Sequence, residues 1–173
     1  MAAPARGSCF ADVDAARRAV ALALPMIENA VRDRGICGAG FLHIVVMDPA
    51  LTPDLSDFNS AVLYEHSIGD RQSWDADYAA YARAKTRTSW RLQRDSHLVH
   101  AQRPHALTDG ESLLAGGVCL DGITVGVSGA EAAFDVAFAT AIAANLRAVA
   151  AHALAQALKA GHTAASEGHS DGR

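Results

Sequence analysis

Residues 116–129 read GGVCLDGITVGVSG, and this stretch decides the fold. Two runs rich in β-branched residues flank the pair Asp121-Gly122. In a two-residue hairpin turn both turn residues need a positive φ, which Asp and Gly adopt more easily than most residues. The stretch therefore predicts two antiparallel strands joined by a tight turn.

A long helix is predicted directly after this hairpin. Ser128 precedes Glu131 by three positions, which is the spacing of a capping box at a helix start. The expected core face of the helix consists of Phe134, Phe138, Ile142 and Val149. Free N–H groups at such a start stabilise anions, so Ser128 is a candidate ligand-binding residue.

The segments before the hairpin predict the rest of the fold. Asp12 is a plausible N-cap for a helix that ends at Gly35 and is kinked or split by Pro25. Residues 41–47 predict a strand buried on both faces, residues 61–66 a second strand antiparallel to it, and Asp75 opens another helix. Residues 97–112 look irregular. The order of these elements predicts a single α+β domain over residues 10–159, an antiparallel sheet flanked by helices, with a disordered tail over 160–173.

Composition excludes several classes of protein. The chain has 173 residues and a net charge of −4, so it is not a polycation that would seek nucleic acid. No stretch reads as a 20-residue apolar span, and the first residues lack the apolar segment of a secretory signal. Three scattered cysteines suit a reducing compartment. We therefore expect a cytoplasmic protein without nucleic-acid or membrane partners.

The helix after Asp75 contains an unusual lysine. Lys85 shares a face about 80° wide with Tyr78, Tyr81, Thr88 and Leu92, and this face should point inward. A lysine there either extends its stem along apolar surface or meets a partner or ligand in a pocket. In a dry pocket its basicity would fall, which suits a catalytic lysine.

Basic residues cluster around this lysine. Six Lys and Arg residues against one acid, Asp95, give residues 83–103 a local charge of about +5. Arg87 and Arg91 are candidate anchors for a carboxylate or phosphate, which guanidinium groups bind in bidentate fashion. The alternative is a solvated helix face, or one that pairs with the acidic segment 48–57.

Histidines and glycines complete the set of candidate site residues. His97, His100 and His105 have spacings that would allow Zn²⁺ binding or axial ligation of haem iron, although no cysteine or acidic pair completes a zinc site. His66, beside Glu65, is either a packed imidazole or a proton carrier. Gly116-Gly117 suggests that the backbone passes close to a ligand or a neighbouring subunit.

These motifs resemble a known family. The strand block Gly116-Gly117-Val118-Cys119-Leu120, the block Val125-Gly126-Val127-Ser128-Gly129 and the early helix acid Asp135 are similar to the GlcG/HbpS-like family of haem-binding and haem-degrading domains. Residues 84–88 resemble the Lys-Ala-x-Thr-Ala helix motif of that family, and residues 81–96 resemble its UPF0303 branch. The resemblance implies an α+β domain that forms symmetric homo-oligomers, with a ligand pocket near subunit contacts.

Three functional hypotheses follow. In the first, the protein binds haem or another planar anionic ligand: Lys85, Arg87 and Arg91 pair with carboxylates, His97 or His100 binds iron, and Gly116, Gly117 and Ser128 form the pocket wall. In the second, it is a cofactor-independent lyase, isomerase or hydratase acting on a small carboxylated substrate. There Arg87 or Arg91 anchors the carboxylate, and His66, His97 or Lys85 transfers the proton. In the third, it is a non-catalytic assembly protein.

Overall fold

A computed structural model describes residues 7–161 of the chain. The predicted disordered tail, apart from Ala160 and Gly161, lies outside the described residues. The longer elements, in chain order, are α1 (Val13–Val31), β1 (Leu42–Met47), α2 (Phe58–Ala61), β2 (Val62–Ile68), α3 (Tyr78–Leu92), α4 (Ser96–Gln102), β3 (Gly117–Leu120), β4 (Ile123–Ser128) and α5 (Ala132–Lys159). Short 3₁₀ turns occur at Arg71–Ser73 and Pro104–Ala106.

The four strands form one antiparallel sheet in the order β2-β1-β4-β3. The predicted hairpin joins β3 to β4, and its turn residues Asp121 and Gly122 have φ values of 50° and 83°. All residues of β1 are buried, as expected for an inner strand covered on both faces. The α+β class with an antiparallel sheet flanked by helices is confirmed.

Helices cover both faces of the sheet. Side chains alternate along a strand, so Ile44 and Val46 of β1 pack with α1 and α5, whereas Val45 and Met47 face α3. Buried residues of α1 and α5 form the larger core, among them Ala19, Ile27, Phe138, Ile142 and Leu146. The sheet therefore separates the α1–α5 layer from the layer that contains α3.

The first helix begins as predicted and continues past its proline. Asp12 is the N-cap of α1, and its carboxylate accepts a hydrogen bond from the Ala15 amide at 2.9 Å. The predicted split at Pro25 does not occur. Pro25 and Ala21 are exposed, so the Ala21 carbonyl that loses its helical donor can be hydrated by water.

The start of α5 differs from the prediction. Ser128 is the last residue of β4, and the N-cap is Glu131, which makes no side-chain capping bond, so the capping-box prediction is wrong. The buried face of α5 is rotated relative to expectation, because Phe134 is 38% exposed and Leu146 is buried instead. By length and composition α5 is apolar enough to span a membrane, and core helices often share this property. The part of α5 that packs on the sheet is buried.

The α3 region shows two further differences. Tyr81, predicted to point inward, is 47% exposed, and the small residues Ala82, Thr86 and Ser89 face the sheet instead. The segment predicted to be irregular contains α4, which begins at Ser96 directly after Asp95. The reason for the α3 rotation is the glycine-rich surface beneath it, described below.

Candidate functional site

A buried ion pair joins α3 to α5. The Lys85 Nζ donates to Asp135 Oδ2 at 2.7 Å and to the Val127 carbonyl at 3.3 Å. Lys85 is 4% exposed and Asp135 1% exposed. The other carboxylate oxygen, Asp135 Oδ1, accepts from the Ala130 amide at 3.0 Å. Lys85 therefore lies inward, as predicted, and its partner is a carboxylate from the first turn of α5.

Glycines in β3 and β4 let α3 approach the sheet closely enough for this pair to form. A Cβ atom at Gly117 would lie 2.4 Å from the Lys85 carbonyl oxygen, and one at Gly126 would lie 1.8 Å from Thr86 Oγ1. Gly117 and Gly126 are paired across the hairpin, so together they form a glycine floor beneath α3.

Gly116 gives the ion pair itself room. It has a φ of +131°, and a Cβ there would lie 2.9 Å from Lys85 Cδ and 3.1 Å from Asp135 Cβ. The close approach predicted for Gly116-Gly117 is made, among the residues that the structure describes, to α3 and the ion pair.

Burial makes Asp135 a weaker acid than an exposed aspartate, because it raises the pKa of the carboxyl group. Desolvation raises the pKa of its carboxyl to about 6, and the charge of Lys85 only partly offsets this rise. The carboxyl can therefore take up a proton at mildly acidic pH. Proton uptake would leave the positive charge of Lys85 without a matching negative charge.

The ion pair borders a cavity of about 230 Å³, which we call the Lys85 cavity. Ser128, Tyr78, Leu114 and Glu131 line it together with the pair. Ser128 is thus placed beside Lys85, as a ligand-binding role for both residues would require.

A second cavity of about 340 Å³, the His97 cavity, adjoins the first. His97 from α4 lines it together with Ala115, Ala132, Ala133 and Val136, and two of these alanines, Ala115 and Ala132, also line the Lys85 cavity. The His97 Nδ1 is buried and has no hydrogen-bond partner within residues 7–161. Such an unpaired buried nitrogen is costly, and no contact among the described residues compensates for it.

The three neighbouring histidines do not form a metal site. His100 Nε2 lies 3.1 Å from the Ser112 carbonyl oxygen, to which it donates, and His105 is exposed. Within the described part of the chain, no group of three His, Cys, Asp or Glu side chains is placed to hold a metal ion. A zinc ion held by His97, His100 and His105 is therefore not supported.

The arginine candidates lie away from both cavities. Arg91 makes two hydrogen bonds to Glu111, at 2.8 and 2.6 Å, and a third to the Ala106 carbonyl at 2.7 Å. Arg87 packs over the ring of Phe58 and lines a different cavity together with Arg83. Lys85, Arg87 and Arg91 were predicted to surround one ligand, and the structure does not bring them together.

His66 lies on the other side of the sheet from Lys85. It pairs with Ile44, whose side chain faces the α1–α5 layer, and its ring stacks near Tyr64. Burial lowers the pKa of His66. Within residues 7–161, His66 and Lys85, two of the predicted proton carriers, therefore do not lie in one site.

His43 is a hydrogen-bonded core imidazole. Its Nδ1 lies 2.8 Å from Ser67 Oγ and its Nε2 lies 3.2 Å from Glu65 Oε1, across the β1–β2 pair. Burial lowers its pKa, so the ring is neutral near pH 7 and both contacts are satisfied hydrogen bonds.

The partner of Lys85 was not found by reasoning from the residues. Only the family resemblance pointed to Asp135, which lies 50 positions from Lys85 in the sequence. Two signals were present: an inward lysine needs a partner, and an acid stands in the first turn of a helix that follows a buried strand.

Comparison with known proteins gives no family model and no curated protein that matches this sequence. Four chains of solved structures match. One, described as the crystal structure of a PduOC:heme complex, is 15% identical, with 81% of this chain and 95% of that chain covered and a TM-score of 0.48. Another, the Klebsiella pneumoniae protein ORFY, described under the family model DUF336, is 17% identical, with coverages of 78% and 89% and a TM-score of 0.47.

Proposed function

We propose that this chain is a small-molecule-binding protein of the GlcG/HbpS-like type, and that its ligand is haem or another planar molecule with carboxylate groups. The ligand would occupy the His97 cavity and extend toward the Lys85 cavity. One observation carries the proposal: an imidazole with a buried, unpaired nitrogen lies at an apolar cavity that adjoins a buried lysine.

The residues present fit haem. Alanine and valine side chains line the His97 cavity, and such small apolar walls suit the face of a macrocycle. A single imidazole is enough to bind haem iron, because the porphyrin supplies the remaining nitrogen ligands. Haem, when bound, would supply a redox-active iron. His97 is the better iron ligand of the two candidates, since His100 already donates to a backbone carbonyl.

Lys85 is the one lysine or arginine among the described residues that line the two cavities, and it is the candidate partner for a ligand carboxylate. At neutral pH Asp135 matches its charge, so an incoming carboxylate would compete with Asp135 for the ammonium group. Protonation of Asp135 would remove that competition. Anion binding in this cavity should therefore strengthen as pH falls through about 6.

We also propose that the protein is a homo-oligomer whose interface covers the rim of these cavities. Leu113 and Leu114 are 74% and 51% exposed, and Phe134 is 38% exposed. Leu114 lines the Lys85 cavity, and Leu113 and Phe134 each stand next in sequence to a residue that lines one of the two cavities, so exposed apolar side chains flank them. An apolar rim around a pocket is typical of a surface that is covered by a partner.

The alternative function is cofactor-independent proton transfer on a small carboxylated substrate. The observation in its favour is the pKa of about 6 for Asp135, which is close to the range that general acid–base catalysis requires. The proton would then be moved by Asp135 or Lys85. His66, Arg87 and Arg91 lie elsewhere and would not take part.

The test is a hemin titration of the full chain, followed by native mass spectrometry and by the Soret absorption band. We expect one hemin per chain on an oligomer, and a shifted, weakened Soret band in His97→Ala. His105→Ala is the matched control, because His105 is exposed in the same segment and should leave the titration unchanged.

Two results would contradict the proposal. Hemin that fails to bind stoichiometrically would remove haem as the ligand, and identical Soret bands in the wild type and both variants would remove His97 as the iron ligand. Turnover of a carboxylated substrate without hemin, lost in Lys85→Met at unchanged circular dichroism, would instead favour the alternative function.

A further inference from the structure

A third cavity, of about 340 Å³, lies on the side of α3 that faces away from Lys85. We call it the Arg87 cavity. It is lined by Arg83, Arg87, Glu111, Ala80, Ala84 and Gly110. Since Lys85 and Arg87 are separated by about 200° around the helix, this cavity is distinct from the two cavities of the proposed function.

The charges around the Arg87 cavity are matched except for one. Arg83 donates to Glu65 Oε2 at 2.8 Å and to Asn59 Oδ1 at 2.9 Å. Glu111 is bound twice by Arg91, and this contact holds the pKa of Glu111 below its usual range, so it is ionised and already neutralised. Arg87 has no hydrogen bond or ion pair with any residue that the structure describes. The cavity therefore carries one unmatched guanidinium charge.

The two guanidinium groups are held in place by an aromatic ring. The Arg87 Cζ lies 4.6 Å and the Arg83 Cζ 5.6 Å from the centroid of Phe58. Phe58 is itself buried and packs edge-on against Trp90. Cation–π contacts of this kind restrict the guanidinium without using its N–H donors. The donors of Arg87 remain free for a ligand.

The opposite wall of the cavity is also fixed. Glu111 accepts from the Thr108 amide at 2.8 Å, and Arg91 binds both Glu111 and the Ala106 carbonyl. These bonds clamp the segment that carries Gly110. The side chains of Ala80 and Ala84 are small, so space remains between this wall and the guanidinium groups.

We propose that the Arg87 cavity is a second ligand site, which binds the phosphate or carboxylate group of a small molecule. Arg87 is the main anchor and Arg83 assists it. A guanidinium group offers two parallel N–H donors that match two oxygens of either anion. The alanines and Gly110 leave room for the rest of the molecule. The site is independent of haem and goes beyond the proposed function.

The test is an NMR titration of the full chain at constant ionic strength, with inorganic phosphate and with malonate in separate experiments. We expect saturable shifts of the Gly110 and Ala84 amide signals with at least one of the two anions. Arg87→Gln should weaken that binding at least tenfold. Arg147→Gln is the control, because Arg147 is an exposed arginine on α5 with an acidic partner, Asp121.

The outcomes distinguish a phosphate ligand from a carboxylate ligand, and they distinguish both from the absence of a site. Saturation with phosphate alone, or with malonate alone, identifies the preferred group, and saturation with both supports a general oxyanion site. Linear, non-saturating shifts with both anions would overturn the proposal, as would equal affinity in the wild type and Arg87→Gln. Neither result bears on hemin binding, which uses other residues.

Discussion

Lys85 and Arg87 stand two positions apart on α3, and their surroundings are opposite. Lys85 is buried, and its ammonium group is bound by Asp135 and a backbone carbonyl. Arg87 is exposed and stacks on Phe58, with its charge unmatched among the described residues. Two cations on one helix thus have different roles: the first is tied into the core, and the second is free to meet a ligand.

The glycine floor decides which cation is buried. Gly117 and Gly126 place no side chain of their own beneath α3, so the helix side that contains Lys85, Thr86 and Ser89 can pack directly on β3 and β4. Arg87 then points away by helical geometry alone. Burial of charge in this fold is therefore set by backbone packing, and the ion pair follows from it.

Of the changes considered, removal of Asp135 should have the largest effect, because it takes away the partner that distinguishes Lys85 from Arg87. In Asp135→Ala the ammonium of Lys85 stays buried without its partner, which costs about 3–5 kcal/mol of unfolding free energy. Urea unfolding at pH 7, followed by circular dichroism, measures the loss. Asp14→Ala removes an exposed ion pair with Arg17 and serves as the control, with a much smaller expected loss. Equal losses in the two variants would mean that the buried pair contributes no more to the unfolding free energy than an exposed pair does.

Filling the glycine floor is the next largest change. A Cβ at position 126 would overlap Thr86 Oγ1 and lie 3.0 Å from the Ala82 carbonyl oxygen, so Gly126→Ala must push α3 away from the sheet. Overpacking of this kind costs about 1–3 kcal/mol. Gly38→Ala is the control, because a Cβ there meets nothing within 4 Å. If the two variants unfolded at the same urea concentration, the glycine floor would not be needed for the packing of α3 on the sheet.

Much of the fold could be predicted from the sequence, because the decisive signals are local. The Asp121-Gly122 turn, the apolar run of β1 and the Asp12 cap each depend on a few neighbouring residues, and all three are present in the structure. The errors have a common cause. The rotation of α3 and α5 depends on which side chains fit the sheet, and α4 depends on docking beside β3, neither of which a single helix encodes.

The candidate site was predictable only in part. An inward lysine was visible from helical periodicity, whereas its carboxylate partner lies 50 positions away and needed the tertiary structure. Arg91 was grouped with Arg87 because both lie on one stripe, yet Glu111 neutralises the first and not the second. The loops that pack against a helix decide which of its arginines find an acidic partner. This information is absent from the helix sequence itself.

The pH dependence of stability sharpens the comparison, because Lys85 has a partner whose pKa lies near neutral pH and Arg87 has no such partner among the described residues. The pKa of Asp135 is about 6 in the folded protein, above the usual 3.8, so the folded state binds the extra proton between these values. The resulting stabilisation is fully present below about pH 4 and is lost as pH rises through 6.

When the pH is lowered from 7 to 5, the unfolding free energy of the wild type should therefore rise by about 1 kcal/mol relative to that of Asp135→Asn. Effects of His43 and His66 are common to both proteins and cancel in this difference. Urea midpoints at the two pH values measure it, and a difference that stays constant or shrinks on acidification would contradict the raised pKa.

Arg87→Gln should have the smallest effect on stability, which is what separates it from Lys85. The change removes a cation–π contact at an exposed position, worth less than about 1 kcal/mol, and breaks no ion pair within residues 7–161. The unfolding midpoint in urea should stay close to that of the wild type, while phosphate or malonate binding is lost. An arginine that contributes little to the fold and much to anion binding is what a ligand site requires. A midpoint lowered as far as in Asp135→Ala would show instead that Arg87 is structural, and the two cations of α3 would no longer differ in role.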